Sequence, residues 1–412
     1  MKFFFTALAV LFAGLVSVFA QEVKPLSNPE KPTITWNGFV KAESMFDTRQ
    51  VVEAREGYLL LYPKKVNLDK NGNDINAHGS FNQYAMTARL ALKATGPDIL
   101  GAKVMAYVEG DFTGASNAEN NSFRLRHAYV KLKWKHAGIL AGQYWHPLNI
   151  PEMIPGVLSL NTGAPFHPYS RHPQIRLDAS WGKINTVLVV ASQRDFTNIG
   201  PAGASSVYLR NSMTPNIHGQ VQYVAPKIFA GIALDFKRLT PRLVTDSLYA
   251  THASVNCFSF SPFMMVKTKP VVFKMQLIYG QGLNDHTVLG GYGIKHTDPL
   301  TNEQEYSPLN YISSWFTINT TGKTWQGSLF AGYTKALGSK DILTGAVFAR
   351  DADIGYIYRF APMLTYYNGK LSIAAEVEYT SCAYGKTDTK YKVSDAVSVS
   401  NTRILFSVGY NF

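Results

Sequence analysis

Three histidines, His146, His167 and His172, bracket a segment that also holds Pro147, Pro151, Pro155, Pro165, Pro168 and Pro173. Histidines gathered in this way raise the question of a metal, but their spacing matches no helical metal motif. Asp69-Lys70-Asn71-Gly72-Asn73-Asp74 offers calcium-loop oxygens yet lacks glycine at the sixth position and glutamate at the twelfth, so it reads as a polar loop. Gly290-Gly291-Tyr292-Gly293 has no helix after it to cradle a phosphate. No Gly-x-Ser-x-Gly elbow occurs. The expectation is therefore no catalytic residue, no cofactor and no metal, and hence not an enzyme. What remains is fixed charge. Arg89, Lys103, Glu109, Asp111, Arg176, Asp178, Glu376 and Glu378 each sit one residue away from apolar neighbours, the spacing that lines ions along one face of an extended strand.

The elements that carry these charges alternate. In Leu100–Phe112, the residues Leu100, Ala102, Val104, Ala106, Val108 and Phe112 share one face, and Lys103, Tyr107, Glu109 and Asp111 the other. Tyr84, Met86, Ala88, Leu90 and Leu92 oppose Gln83, Thr87, Arg89 and Lys93, and Ile34, Trp36, Val40 and Ala42 oppose Lys41 and Glu43. One exception stands out: Arg124 and Arg126 fall on the parity that otherwise carries Ala128, Val130, Leu132 and Trp134, which a bulge or a strand end would explain.

These strands pair through short turns at Gly96, Gly138, Gly182, Pro226, Pro270, Gly322 and Gly369, the last being the hairpin signal Asn368-Gly369. Between the pairs run much longer stretches such as Gln281–Ser307 and Ser381–Asn401. Counted this way the chain has about 16 strands. Regular sorting of short and long connections points to a barrel whose two ends meet different surroundings, short turns in the periplasm and long loops outside the cell. The predicted fold is all-β, a transmembrane antiparallel β-barrel over residues 33–412. Residues 1–20 read as a cleaved signal peptide, with basic Lys2, apolar Phe3 to Val18 and a small-x-small site before Gln21, and residues 21–32 as a short periplasmic segment.

Composition agrees. Charged residues make up 17% and aromatics 13%, and no stretch after the signal peptide approaches the ~20 apolar residues of a spanning helix. Without Lys2 there remain 39 basic against 28 acidic residues, with no single Lys/Arg run to account for the excess. That argues against nucleic acid and for a basic lumen drawing in anions. Cys257 and Cys382 are too few for a disulfide framework.

The closing residues Thr402–Phe412 put Ile404, Phe406, Val408, Tyr410 and Phe412 on one face and end on an aromatic. This resembles the closing strand of bacterial outer-membrane barrels, where Tyr410 and Phe412 would serve as the assembly signal. The proline-rich stretch after the fifth strand resembles the inward-folded loop of trimeric general-diffusion porins. Phe123-Arg124-Leu125-Arg126-His127-Ala128-Tyr129-Val130 and Leu140-Ala141-Gly142-Gln143-Tyr144-Trp145 are similar to segments of DcaP-like and phosphate-selective porins. The start at Gln21 leaves no room for the N-terminal coiled coil of DcaP-like chains. The resemblance implies a homotrimer in outer-membrane lipid, passing small hydrophilic solutes, anions preferred. Glu152, His167, Tyr169, Arg171 and His172 of the loop would then face a wall bearing Arg89, Lys103, Glu109, Asp111, Arg176 and Asp178. The rival readings are an outer-membrane lipid hydrolase and a structural or adhesive barrel without a channel.

Overall fold

The computed structural model describes residues 32–412; the predicted signal peptide and nearly all of the segment after it lie outside them. Sixteen strands form a closed antiparallel wall. In chain order they are β1 Thr33–Asp47; β2, broken into Ser80–Tyr84 and Arg89–Thr95; β3 Lys103–Asp111; β4 Arg124–Lys133; β5 Ala137–Trp145; β6 Arg171–Trp181; β7 Ile184–Ala191; and β8 Asn216–Val224. The second half comprises β9 Ile228–Leu239, β10 Val255–Lys267, β11 Val271–Gln281, β12 Gln304–Thr320, β13 Trp325–Ser339, β14 Ile354–Asn368, β15 Leu371–Thr387 and β16 Val393–Asn411. Each strand pairs with its sequence neighbour, and β1 pairs with β16 to close the ring.

Polarity is inverted relative to a water-soluble fold. Trp36, Val108, Phe316 and Phe406 are 43–68% exposed on the outer face, while Glu376, Glu378, Arg359 and Arg403 inside are 1–2% exposed. An isolated charge is stable there only if it is paired or hydrogen-bonded, and the inner face meets that demand with ion pairs. Trp36, Trp181, Trp325 and Tyr410 project outward near the turn end, the position of an interfacial aromatic girdle. Among the described residues no helix is long and apolar enough to cross a membrane.

The seam shows why the chain ends as it does. Phe412 N–H donates to Gly38 O at 3.1 Å and Gly38 N–H to Phe412 O at 3.3 Å. The Phe412 ring lies across Gly38, where a Cβ would meet it at 2.9 Å and would collide with the Arg89 carbonyl. Gly38 thus leaves room for the last aromatic to cover the junction.

Two readings of the sequence are refined. The stretch 381–401 is not a long loop, because β15 and β16 continue pairing to Thr387↔Val393 and leave only residues 388–392 between them. The parity break in β4 is a bulge: Glu109 pairs with His127 and Gly110 with Leu125, so Arg126 is the extra residue and Arg124 is turned inward opposite Asp111. Both cysteines are free and buried.

Candidate functional site

Prolines keep the segment 146–170 out of regular strand, so its backbone carbonyls and N–H groups need partners outside a ladder. The inner wall supplies them. Gln276 Nε2 donates to Leu148 O at 3.1 Å, Lys274 Nζ to Ile154 O at 2.8 Å and Ser313 Oγ to Phe166 O at 3.0 Å. Glu376 accepts from the N–H groups of Leu158 at 2.6 Å and Ser159 at 3.1 Å. Gly156 lies against Asn319 so closely that any Cβ would overlap it. The loop therefore crosses the lumen, with Ile150, Met153 and Phe166 in an apolar cluster with Phe263, Trp315 and Phe330 on the far wall.

A second segment folds inward as well, and it was missed from the sequence. Val51–Ala54 and Leu59–Pro63 form a small hairpin between β1 and β2, and Leu59–Pro63 is wholly buried. The apolar run Leu59-Leu60-Leu61-Tyr62 inside a long loop was the signal available. Arg359 ties both segments together: Nη1 donates to Ala164 O at 2.6 Å, Nη2 to Leu61 O at 2.8 Å and Nε to Thr380 Oγ1 at 2.8 Å, with Glu378 at 3.3 Å. Arg403 holds the hairpin tip through Gly57 O at 2.7 Å while pairing with Asp47 at 2.7 Å.

On the opposite side of the lumen, five arginines converge. The β4 bulge sets Arg126 Nε 2.7 Å from Glu109 and its Nη1 2.6 Å from Asp111. Arg124 Nε reaches Asp111 at 3.0 Å, and Arg124 Nη1 and Arg171 Nη2 reach Asp195 at 3.4 and 2.7 Å. Arg89 lies 3.6 Å from Glu109, and Arg55 of the inner hairpin faces Arg124, Arg171 and Asp195. Five guanidiniums against Glu109, Asp111 and Asp195 leave a surplus of two positive charges. Nε of Arg55 and Nε and Nη1 of Arg171 are buried donors without an acceptor in the protein, so the cluster has unused capacity for anionic oxygen.

The field is legible in its neighbours. Burial alone would raise the Tyr169 phenol, but the guanidiniums of Arg171, Arg126 and Arg124 outweigh it and bring it down to about 7. Burial likewise works against the Asp195 carboxylate, and Arg171 and Arg124 hold it at about 2. Arg55 is pushed down, first by burial and then by Arg124. The Arg171 guanidinium stacks 4.5 Å from the Trp145 ring centre and 5.1 Å from that of Tyr169.

The residues singled out in the sequence thus separate. Arg89, Glu109, Asp111, Tyr169 and Arg171 come together in this cluster, though Asp111, Tyr169 and Arg171 are at most 1% exposed and covered by the infolded segments. Glu152 is exposed in a vestibule of about 650 Å³ beneath the loop, which it shares with Lys41, Lys267 and Lys274. Arg176 and Asp178 pair with each other at 2.8 Å on β6. Lys103 is exposed near the turn end, opposite Lys133. His167 is buried 5.3 Å from Trp315, and His172 is buried between Ser170 and Ser192 O. Glu376 and Glu378 anchor the loop, the latter also through Asn161 at 3.0 Å. Arg55, Arg124, Arg126 and Asp195 are site residues that sequence reasoning did not assign; the parity break at Arg124 and Arg126 was the one clue.

No protein-family model and no curated protein matches this chain. Solved structures do. The outer-membrane channel DcaP of Acinetobacter baumannii is 16% identical at a TM-score of 0.68, covering 92% of this chain and 97% of its own. The anion-selective porin from Comamonas acidovorans is 11% identical at 0.56, over 93% and 100% of the two chains. OmpT of Vibrio cholerae is 10% identical at 0.57, over 94% and 100%. At these identities the likeness concerns architecture, and on that footing the chain has the fold of the bacterial outer-membrane porins, a closed barrel of sixteen antiparallel strands.

Proposed function

We propose that this chain is an outer-membrane porin through which small hydrophilic solutes diffuse passively, anions in preference to cations. The observation that carries the reading is the surplus of guanidinium in an inner cluster whose buried donors lack acceptors, set in a wall with lipid-compatible side chains outside. Lys41, Lys267 and Lys274 against Glu152 extend positive charge into the vestibule. An anion passing the partly exposed edge of the cluster at Arg89 and Arg124 is stabilised and a cation is repelled. The segment 146–170 sets the width.

The DcaP channel and the Comamonas anion-selective porin share this fold, which supports a channel role here. Residues 1–20 act as the export signal in this proposal, the turns face the periplasm, and the chain assembles as a homotrimer in the outer-membrane lipid. Tyr410 and Phe412 serve barrel closure. Recording single channels in planar bilayers across a KCl gradient tests the reading. An open current with a reversal potential on the anion side is expected. A folded protein that inserts without conducting refutes it.

A further inference from the structure

Beside the arginine cluster, where His172 follows Arg171, four histidines distant in sequence meet in one buried spot. The His146 ring lies 4.3 Å from that of His286, 5.2 Å from His172 and 5.8 Å from His218, and all four residues are 0–1% exposed. Asp285, Asp235 and Lys237 complete the surroundings; Lys237 Nζ donates to both Asp285 oxygens at 2.6 Å.

The hydrogen bonds sort these rings into roles. His146 has both nitrogens occupied, Nε2 by Asn216 Oδ1 at 2.6 Å and Nδ1 by the Leu148 N–H at 3.3 Å, so it forms a wall. His172 presents Nδ1 to the Ser192 carbonyl at 2.6 Å, which fixes the tautomer that keeps a lone pair on Nε2; the Ser170 hydroxyl, 2.8 Å from that nitrogen, has to turn aside for an ion. His286 has neither nitrogen hydrogen-bonded, and His218, held through Nδ1 by Asp235 at 3.2 Å, has a bare Nε2. Unpaired buried imidazole nitrogens are costly. Nitrogen of His172, nitrogen of His286 and a carboxylate oxygen of Asp285 all lie within 4.8 Å of one another.

We propose that His172, Asp285 and His286 bind one divalent transition-metal ion of the zinc class, with the Nε2 of His218 available as a further ligand. Imidazole nitrogen with a single carboxylate suits such an ion better than calcium or magnesium, which prefer all-oxygen sites. Asp235 and Asp285 outnumber Lys237 among the carboxylates and amines beside these rings, which favours a cation. Asp285 Oδ2 also accepts from Gln193 Nε2 at 2.7 Å, so it is Oδ1 that retains a lone pair beyond the one Lys237 uses. The ion would be structural: it fastens the segment 282–290 to the start of β6, directly beneath the loop whose Tyr169 N–H donates to His286 O at 2.9 Å.

The full-length mature protein, folded in detergent with Zn²⁺ and then desalted, is expected to retain about one zinc per chain by elemental mass spectrometry. His172→Gln and His286→Gln should lower that content at least about tenfold, and His136→Gln, at an exposed turn, should not change it. Retention by both folded variants, or no zinc on the folded wild-type chain, overturns the proposal. Should either variant fail to fold, titration of chelator-stripped wild-type protein with Co²⁺ decides: a saturable visible spectrum of a low-coordinate cobalt site is expected, and a spectrum unchanged from aqueous Co²⁺ overturns the proposal.

Discussion

Raising the pH from 6 to 8 should reduce the anion preference of the channel, because one residue removes a positive charge's worth of field in that interval. Tyr169 is neutral below its pKa of about 7 and a phenolate above it. The sign follows directly: ionisation adds negative charge as pH rises, so the surplus of the arginine cluster falls from two to one. At about 8 Å in a medium of permittivity about 80, one unit charge changes the energy of a passing ion by about 0.5 kcal/mol. Anion and cation feel it with opposite sign, so their permeability ratio changes about sixfold unscreened. At 0.15 M salt the Debye length of about 8 Å cuts this to about twofold. The assay is the reversal potential across a fixed KCl gradient at pH 6, 7 and 8, for the wild type and Tyr169→Phe. The variant lacks the titrating hydroxyl, and any other group titrating in this window is common to both proteins. Equal pH dependence in the two proteins, or none in the wild type, refutes the reasoning.

Other outcomes follow from the same geometry. Arg89→Glu should move the reversal potential toward cations, whereas Lys103→Glu, at the wide turn end, should move it little; equal shifts would show that the cluster does not control selectivity. Arg359→Ala strips carbonyl partners from both infolded segments and leaves Glu378 unpaired, at a cost of about 3–5 kcal/mol. Larger or noisier single-channel currents and a lower temperature for loss of the fast-migrating folded band are expected. Gly38→Val forces the Phe412 ring off the seam and should lower the yield of folded barrel, read as the fraction of heat-modifiable protein in gels. Reductant should leave gel mobility unchanged, because Cys257 and Cys382 are free.

The wall was legible in the sequence because its rule is local. A strand between hydrocarbon and water repeats every second residue, so Trp36, Leu90 and Val108 announce one face and Lys41, Arg89 and Glu109 the other without knowledge of any partner. Turn signals such as Asn368-Gly369 then fix the pairs. The prolines of 147–173 announced a segment unable to join the wall; residues 146–170 do lie inside, whereas Arg171, His172 and Pro173 already belong to β6 and pair with β5. The site obeys no local rule. Arg55, Arg89, Arg126, Arg171 and Asp195 meet only after the barrel is rolled and the hairpin 51–63 tucked in, and His146, His172, His218 and His286 do the same beside them. The tail of β15 misled for a local reason: Ser381–Asn401 is polar enough to read as loop, although its backbone still forms a ladder beyond the apolar belt.

The partners of the infolded segments have a consequence for biogenesis. Leu158 and Ser159 are held by Glu376, 218 and 217 positions downstream, and the hairpin tip by Arg403, more than 300 positions away. Gln276, Lys274 and Ser313 of β11 and β12 offer earlier anchors, but a nascent chain lacks the remaining ones until its final three strands arrive. Final locking of the passage and zipping of the last seam are thereby coupled, so an intermediate stalled before that step would hold a loosely plugged bore. Quality control that recognises loose loops would, in effect, be recognising an unfinished ring.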